Sequence, residues 1–434
     1  MNKFQGKKVL FLGATGYIAD LVLRAKKHGI YTIVTDYFEN APAKQVADKY
    51  YDVSTVDLAA LEMIARNEHI DGVVTGFSDV NLDMAQQLCS KLNLPFYANH
   101  TQVENTTNKL KFKELCRECG IPVAKQYHIT NSPSSADLEE IEYPVIIKPA
   151  DSYGSKGISV CKDKNEFMQA YTNALKFSKT DQVIVEKFIS GYDDVCMYYT
   201  IQDGYVSLSA MTDRDMNNQQ IGKAPQPNGL FYPSEHLDQY YEQLHSNVCK
   251  LVKRLEIKNG TMFIQAFANE DEFIVFEMGY RLCGAAEYII IDEENGINSA
   301  EMYINYALTG KFDGYSVKKM DNPYFKHYYC ILLSLLKSGK IGKISGLTEI
   351  KKMPELVNIV EFYREGDIVE NKTTGTLNQT FARMYVKGNS KEELLNSIEK
   401  IQKTLLIEDE NGQNMLLEGI DCSKYRMKGL VSKC

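Results

Sequence analysis

The first hundred residues alternate apolar runs with amphipathic runs, and this alternation constrains the fold more than any other feature of the sequence. KKVLFLGA, YTIVTDY and IDGVVTG are continuous apolar runs, typical of strands buried on both faces of a parallel sheet. DLVLRAKKHG is predicted to form a helix closed by Gly29, and DMAQQLCSKLNLPF a further helix. This order predicts a doubly wound α/β sheet over residues 1–100.

The rest of the chain is richer in strands with short connections, which predicts α+β architecture. A second unit contains the helix NKLKFKELCRECGI, a helix near DQYYEQLHSNVCKLVKRLEI and the hairpin GTMFIQAFANEDEFIVFEMGYR. A third unit from about residue 312 contains IVEFYREGDIV, QTFARMYVKG and the helix SKEELLNSIEKIQKTL. We interpret YYCILLSLLKSG, residues 328–339, as the most apolar helical stretch. The predicted divisions are 1–100, 101–311 and 312–434.

Composition excludes several classes of protein. A net charge of −8 argues against a general nucleic-acid binder, and no apolar run approaches the roughly 20 residues of a membrane span. The N-terminus leads directly into a strand, so we expect no secretory signal. Ten scattered cysteines suit reduced thiols in a cytoplasm, and the one CxxC, Cys116 and Cys119, has no second pair to complete a zinc site.

The turn GATGYIA after the first strand suggests one alternative function. Gly13 and Gly16 lie at a strand-to-helix turn, and Asp36 follows at about the distance at which dinucleotide-binding domains place a ribose-binding acid. This pattern would make the chain a nicotinamide-dependent enzyme. The spacing lacks the three-glycine fingerprint, however, and any tight turn of this kind favours glycine. A structural or substrate-facing turn is the preferred interpretation.

The stretch YPVIIKPADSYGSKGISV indicates an anion site. Lys148 ends an apolar strand, and burying its charge without a counter-ion is costly. The loop that follows has small and polar residues whose backbone N–H groups can point at phosphate oxygens, together with one basic side chain. These candidates are Ser152, Gly154, Ser155, Lys156 and Gly157. A solvated hairpin loop is the alternative interpretation of this stretch.

The segment VIVEKFISG suits a purine slot, with aliphatic walls and with backbone groups at Lys187 and Ile189 that can read an adenine edge. In the next strand the apolar residues Val195 and Met197 are expected to face the core, so Asp194 falls on the opposite face. An acid at that position can accept hydrogen bonds from ribose hydroxyls. These features favour a nucleotide over a simple anion.

The paired strands FIQAF and FIVFEMGYRL carry Gln265, Glu277 and Arg281. A carboxylate such as that of Glu277 can hold Mg²⁺ beside a triphosphate, and an arginine can stabilise a developing oxyanion. Arg214, in TDRDMNN, could clamp a substrate carboxylate in a bidentate manner. A solvated strand end is an equally good interpretation of Arg214.

Taken in order, these motifs resemble the ATP-grasp superfamily, specifically its carboxylate–amine ligases with biotin-carboxylase-like or carbamoyl-phosphate-synthase-like architecture. The resemblance rests on NK at Lys109, VIIKP, DSYGSKG, VEKFI, Asp194 and FEMGYR, and it covers roughly residues 1–310. It implies a preATP-grasp doubly wound domain (1–100), an ATP-grasp domain (101–311) with a lid subdomain at about 125–190, and a small C-terminal α+β domain (312–434).

The resemblance also implies residue roles and cofactors, namely ATP and Mg²⁺. Lys109 and Lys148 would contact phosphates, and the 152–157 loop would close over them. The other implied roles are the adenine slot for Glu186, Lys187 and Ile189, the ribose for Asp194, Mg²⁺ for Glu277, the acyl phosphate for Arg281 and a substrate-side acid for Glu287. The last assignment is offset by one residue from related enzymes.

Two departures from the family pattern concern the metal. Gln265 stands where the family usually has a second acid, and Gly279 stands where it has an asparagine ligand. A neutral amide can still offer Mg²⁺ one oxygen. Metal binding is therefore expected to be weaker or more dependent on ATP than usual.

The predicted function is an ADP-forming ligase that activates a small carboxylate, for example that of an amino acid, as an acyl phosphate and transfers it to an amine. An ATP-binding regulatory protein with little or no ligase activity is the alternative, motivated by Gln265 and Gly279. The expected partners are small-molecule carboxylate and amine substrates, with no nucleic acid and no membrane, and a homodimer is left open.

Overall fold

The computed structural model describes residues 3–129, 133–150, 157–178, 180–217 and 225–431. Over these residues the chain forms a mixed α/β architecture, with a parallel sheet at the N-terminus and antiparallel sheets after it. The predicted fold class is confirmed.

The N-terminal sheet is parallel, with strand order β3-β2-β1-β4. Val9 and Phe11 of its first strand pack into one hydrophobic core, while Leu10 and Leu12 pack into another on the opposite face. Burial on both faces explains why this strand is a continuous apolar run. The elements are β1 (Lys8–Leu12), α1 (Gly16–Lys27), β2 (Tyr31–Thr35), β3 (Lys49–Tyr51), α2 (Leu58–Glu68), β4 (Gly72–Val74) and α3 (Asp79–Leu92).

The glycine turn after β1 is held by the acid that a dinucleotide site would need. One oxygen of Asp36 accepts the Ala14 N–H at 2.9 Å, and the other accepts the Phe38 N–H at 3.0 Å. Gly13 has a φ of +92°, and a Cβ there would lie 3.0 Å from the Asn81 side-chain nitrogen. These contacts favour a structural role for the turn over the nicotinamide alternative.

A small antiparallel sheet with strand order β5-β8-β6-β7 follows two connecting helices. Val145 and Ile147 pack with Phe167, Tyr171 and Val185 in the core of this unit. The elements are α4 (His100–Thr107), α5 (Lys109–Glu118), β5 (Gln126–Tyr127), α6 (Ser135–Glu139), β6 (Val145–Pro149), β7 (Ser159–Cys161), α7 (Lys164–Phe177) and β8 (Val183–Lys187).

An eight-stranded antiparallel sheet has the strand order β13-β12-β9-β10-β11-β14-β18-β16. It begins with β9 (Asp193–Gln202), β10 (Tyr205–Asn217), β11 (Gln226–Tyr232), α8 (Leu237–Gln243), α9 (His245–Arg254), β12 (Gly260–Ala268), β13 (Phe273–Gly279), α10 (Tyr288–Asn295) and α11 (Ser299–Thr309). The apolar residues of β9, including Val195 and Met197, are buried as expected, but Cys196 and Tyr198 on the opposite face are buried too.

The C-terminal residues extend the same sheet and add the short sheet β17-β15-β19. Their elements are α12 (Val317–Met320), β14 (Tyr328–Leu335), β15 (Gly339–Ser345), α13 (Leu347–Ile350), β16 (Leu356–Glu361), β17 (Ile368–Val369), β18 (Thr380–Gly388), α14 (Lys391–Thr404), β19 (Leu406–Asp409) and α15 (Cys422–Val431). Because the large sheet crosses residues 311 and 312, the domain limits stay a prediction.

The helical interpretation of residues 328–339 is wrong. Tyr328–Leu335 forms strand β14, which pairs with β11 on one side and β18 on the other. A central strand buried on both faces has the same unbroken apolar pattern as a buried helix, so periodicity could not separate them. The helix expected near residues 238–257 is also divided, into α8 and α9.

Among the described residues, no helix is both long enough and apolar enough to span a membrane.

Candidate active site

Lys148 lies on the face of β6 that points away from the apolar core of the small sheet. Val145 and Ile147 alternate into that core, so the period of two along the strand directs Lys148 to the other side. The same alternation on the neighbouring strand β8 buries Val185 in the core and turns Glu186 toward Lys148. The Lys148 Nζ lies 2.8 Å from a Glu186 carboxylate oxygen.

A second lysine shares this carboxylate. Lys113 of α5 is fully buried, and its Nζ donates to the other Glu186 oxygen. Two cations and one anion therefore form a buried cluster, which we call the lysine cluster, defined as Lys113, Glu186 and Lys148. With both lysines protonated, the lysine cluster carries a formal charge of +1. This charge favours a polyanionic ligand beside Lys148, the more exposed of the two lysines.

Electrostatics support this interpretation of the lysine cluster. Burial, together with the charge of Lys109, lowers the pKa of Lys148 to about 8, while Glu277 opposes the shift. Burial together with the charge of Lys148 holds the pKa of Lys113 well below its usual value. Bringing phosphate oxygens to these ammonium groups would stabilise their charged forms.

Lys113 is the residue that the sequence analysis missed. Lys109 is the first residue of α5, and Lys113 lies four residues later. Both lysines therefore fall on one face of the helix. The i, i+4 spacing in NKLKFKE was a usable signal, because Phe112 and Cys116 show that this side of the helix is buried. Lys109 itself is half-buried and acts electrostatically on Lys148, as expected of a neighbour in one site.

Glu186 has a different position from the one expected. Its side chain is 1% exposed and is a counter-ion of two lysines, so its contact with adenine stays a prediction. The Lys187 N–H donates to the Lys125 carbonyl at 2.9 Å, so only the Lys187 carbonyl is left to read a nucleobase. Ile189 is half-buried.

Most of the predicted phosphate loop lies outside the described residues, namely Ser152, Gly154, Ser155 and Lys156. Gly157 is described and has a φ of +74°. A Cβ on Gly157 would lie 2.9 Å from atoms of both Phe177 and Pro149, so this position requires glycine.

Glu277 and Gln265 occupy paired positions on adjacent strands of the large sheet. They are register partners between β12 and β13, so their side chains share one face. Glu277 is exposed and Gln265 is half-buried, whereas their neighbours Met278 and Ile264 are buried. One carboxylate and one amide are hard oxygen donors, which fit Mg²⁺ that keeps water and phosphate ligands. The described residues hold no group of three or more His, Cys, Asp or Glu side chains placed for a metal.

Asp194 and Arg214 are directly paired in the structure. They are register partners on β9 and β10, and the Arg214 Nη1 donates to Asp194 at 2.8 Å. Burial raises the pKa of Asp194, with Arg214 opposing the shift and Glu277 adding to it. Burial would lower the pKa of Arg214, but the Asp194 carboxylate raises it above its usual value. The predicted ribose and substrate roles of these residues would require them to share this ion pair with a ligand.

Arg281, just after strand β13 of the large sheet, pairs with helix α3 of the N-terminal residues. Its Nε and Nη2 donate to the two carboxylate oxygens of Asp79, at 2.6 and 3.1 Å. Asp79 is the first residue of α3, directly after the Ser78 cap, and the sequence analysis did not select it. The Phe263 ring supports the guanidinium from one face, with its centroid 5.1 Å from Cζ. The pair orients Arg281 at the edge of the site.

The missing family asparagine has a packing explanation. A Cβ built on Gly279 would lie 2.3 Å from Phe263, so the ring of Phe263 fills the space that a side chain at this position would need. The same ring contacts Arg281. The Phe263 ring, which packs on Arg281, therefore occupies the space that a side chain at position 279 would need.

Glu287 is buried at the start of α10, with 4% exposure, and its Oε2 has no hydrogen-bond partner. Burial raises its pKa to about 8, although Arg281 and Arg383 both act in the opposite direction. Its Coulombic interaction with Arg281 places it near that arginine, and its substrate-side role stays a prediction.

The structure therefore brings the predicted residues together from two stretches of chain. Glu277 acts electrostatically on both Lys148 and Asp194, which links the lysine cluster to the β12–β13 hairpin. These interactions place Lys148, Asp194 and Glu277 near one another, and their joint role as one site stays a prediction.

Comparisons with known proteins agree with this geometry. Residues 108–311 match the family model described as carbamoyl-phosphate synthase L chain, ATP binding domain. The formate-dependent phosphoribosylglycinamide formyltransferase of Prochlorococcus marinus (strain NATL1A) is 25% identical over 319 residues, which are 71% of this chain and 78% of that protein. The protein of the same description from Sulfurisphaera tokodaii is 30% identical over 191 residues, 43% of this chain and 48% of that protein.

Solved structures show the same fold. Phosphoribosylglycinamide synthetase from Anaerococcus prevotii has a TM-score of 0.73 at 21% identity, covering 93% of this chain and 100% of that chain. L-amino acid ligase from Bacillus licheniformis has a TM-score of 0.74 at 20% identity, covering 94% and 99%. The biotin carboxylase domain of Hydrogenobacter thermophilus 2-oxoglutarate carboxylase, a dimer in complex with MgADP, has a TM-score of 0.76 at 17% identity, covering 93% and 90%. These likenesses show the fold that the chain shares with those proteins, and the family-model match over residues 108–311 bears out the resemblance stated from the sequence.

Proposed function

We propose that this chain, whose residues 108–311 match a family model of an ATP-binding domain, is an ADP-forming carboxylate–amine ligase of the ATP-grasp superfamily. The observation that carries this proposal is the buried lysine cluster facing a carboxylate and an amide on the opposite hairpin. Cations on one side and hard oxygen donors on the other are what a Mg²⁺–triphosphate requires.

The reaction follows from the chemistry of these groups. A substrate carboxylate oxygen attacks the γ-phosphorus of ATP, forming an acyl phosphate while the bond to the β-phosphate oxygen breaks and ADP leaves. An amine then attacks the acyl carbon, so that an amide bond forms, the bond to the phosphate oxygen breaks, and one proton is released. Lys148 and Lys109 would hold phosphate oxygens, and Arg281 would stabilise charge on the acyl phosphate.

Glu277 and Gln265 would hold Mg²⁺. When bound, the ion would neutralise charge on the triphosphate. With one carboxylate and one amide as protein ligands, the affinity for Mg²⁺ should depend strongly on ATP, which brings further oxygen ligands of its own.

The test of the proposed function is ADP release with ATP, Mg²⁺ and a panel of small acids and amines. We expect release that depends on one acid and one amine together, and loss of release in Glu277→Gln. Glu272→Gln, at an exposed position in the same hairpin, is the matched control and should retain full activity. ADP release that is indifferent to every acid and amine would contradict the ligase proposal.

The second candidate is an ATP-binding regulatory protein, favoured by Gln265 and by the side chain missing at Gly279. It predicts tight ATP binding with no turnover across the whole panel. Turnover by any acid and amine pair would exclude it.

The assembly and the location of the protein are also proposals. A homodimer is supported by the dimer of the Hydrogenobacter domain. A cytoplasmic location is supported by the nine described cysteines, all of which are free thiols.

A further inference from the structure

Lys113 is the most deeply buried member of the lysine cluster. Its Nζ donates to one oxygen of the Glu186 carboxylate, and the Lys148 Nζ lies 2.8 Å from the other oxygen. Glu186 is buried as well, so water does not solvate any of the three charges fully. One carboxylate therefore has to balance two ammonium groups in a largely dry environment, which is costly.

The other charged groups around Lys113 increase this imbalance. Its pKa is lowered by burial first, then by the charge of Lys148, and Arg117 and Lys109 of the same helix α5 add to the effect. On the side of the large sheet, Glu277 of β13 acts on Lys148 as a negative charge. Nearby positive charges thus outnumber the negative charges.

No further anion comes from the buried side of α5. The thiol of Cys116 is the titratable group there, and burial raises its pKa to about 12, so it is neutral at physiological pH. A buried lysine in such surroundings avoids the cost of its charge by releasing its proton. Without a ligand, the arrangement of lowest energy has one protonated lysine for the one carboxylate of Glu186, and the more deeply buried Lys113 is the uncharged amine.

A nucleotide reverses this balance. Triphosphate oxygens beside Lys148 bring several negative charges to the cluster, so both lysines can then be charged at the same time. Lys148 is slightly exposed and shares the Glu186 carboxylate with Lys113, which gives a proton from solvent a path to the buried amine.

We infer that Lys113 is a positioning residue that takes up one proton when ATP binds, and that this proton holds Glu186 and Lys148 in the charged arrangement that binds phosphate. The Lys113 Nζ lone pair accepts the proton, a buffer acid loses it, and no other bond forms or breaks. The inference rests on the proposed function, because it requires ATP binding, and it adds a proton linkage to that binding.

The sign of the pH dependence follows from this step. The complex holds a proton that the free protein lacks, so the affinity for ATP is highest at low pH and falls as the pH rises. For one proton per nucleotide the decrease is about tenfold per pH unit.

The test is a calorimetric titration of the full chain with a non-hydrolysable ATP analogue and Mg²⁺. At pH 7.5 the binding heat is compared in buffers of equal ionic strength that differ in heat of ionisation. The slope of binding heat against ionisation heat gives the number of protons taken up, and we expect about one per nucleotide. Titrations from pH 7.5 to 9.5 then give the pH dependence of the affinity.

Lys113→Met tests the residue. It removes the amine, keeps a side chain of similar length, and leaves Glu186 and Lys148 as a one-to-one ion pair. Most of the proton uptake should be lost, and the affinity should depend much less on pH. Lys111→Met, at an exposed lysine of the same helix that pairs with Glu104, is the matched control and should change neither quantity. Titration of the nucleotide itself is the same for all three proteins and cancels in the comparison.

A lysine with a merely structural role would lower the melting temperature when replaced and leave proton uptake unchanged. Binding without proton uptake in the unaltered chain, or undiminished uptake in Lys113→Met, would therefore overturn the inference and leave the ligase proposal standing. If Lys113→Met does not fold, the comparison of buffers on the unaltered chain decides. Absence of nucleotide binding at every pH would overturn the inference and the proposed function together.

Discussion

Glu186→Gln should destabilise the protein more than any surface charge change, because Glu186 is the counter-ion of two buried lysines. The substitution keeps the shape of the side chain and removes its charge. Lys113 and Lys148, which are 0% and 8% exposed, would then share a cavity with no anion. Removing one partner of a buried ion pair typically costs about 3–5 kcal/mol.

This free energy can be converted into a melting temperature. Taking the roughly 200 residues that match the ATP-binding-domain model as the unit that unfolds, each kcal/mol lowers the melting temperature by about 2–4 °C. We therefore expect a decrease of about 6–20 °C, measured by differential scanning calorimetry at neutral pH. The nucleotide affinity should fall too, since Lys148 loses the carboxylate that orients it.

The matched control is Glu104→Gln. Glu104 of α4 pairs with Lys111 of α5 at 2.6 Å, and both side chains are more than 40% exposed. Because water screens this pair, the control should melt close to the unaltered protein. Equal melting temperatures for Glu186→Gln and Glu104→Gln would refute the claim that the lysine cluster depends on its carboxylate.

Three further predictions address the chemistry of the site. Lys148→Ala should weaken ATP binding by about 10- to 150-fold in a calorimetric titration, while Glu277→Ala should mainly abolish turnover and the Mg²⁺ requirement; unchanged activity in either variant would count against the assigned roles. Asp79→Asn should lower kcat by up to about 100-fold with little change in ATP affinity, because it releases Arg281 from its bidentate partner, and an unchanged kcat would show that the pair is dispensable. The raised pKa of Glu287, about 8 against an ordinary 4.5, means that the folded state binds the extra proton between these values, so this group lowers the free energy of unfolding as pH rises from about 4.5 to 8. Glu287→Gln should flatten the decline in melting temperature over that window by the equivalent of about 5 kcal/mol, and a slope identical to that of the unaltered protein would contradict the assignment.

Local patterns in the sequence predicted much of the fold. Apolar runs bounded by turn residues located β1, β2, β6 and the β12–β13 hairpin, because these features depend on neighbours within a few residues. Tyr328–Leu335 was misassigned because a strand buried on both faces has no alternation to detect. Only the pairing with β11 and β18, which are distant in sequence, decides its structure.

The candidate site, like the fold, could be predicted only in part. The sequence allowed three charged residues to be selected, because a charge at the end of an apolar strand is costly to bury without a partner. These residues are Lys148, Glu277 and Arg281. Their partners could not be selected, since Asp79 lies 202 residues from Arg281. Long-range ion pairs of this kind follow from the packing of sheets and helices, which a single sequence does not record.

Arg383 illustrates the limit most clearly. In QTFARMYVKG it is one charge in an amphipathic strand, and nothing nearby separates it from a solvated residue. Its hydrogen bond to the Gly284 carbonyl becomes visible only when β18 is placed in the sheet.

The most direct test of the account follows an oxygen atom through the reaction. The acid that gives the fastest ADP release is labelled with ¹⁸O in its carboxylate, and the inorganic phosphate is analysed by mass spectrometry. An acyl phosphate intermediate requires one ¹⁸O atom per phosphate released, with both label transfer and ADP release lost in Lys148→Ala. Unlabelled phosphate, with ADP formed at the same rate, would contradict the account, because direct hydrolysis of ATP takes the new phosphate oxygen from water.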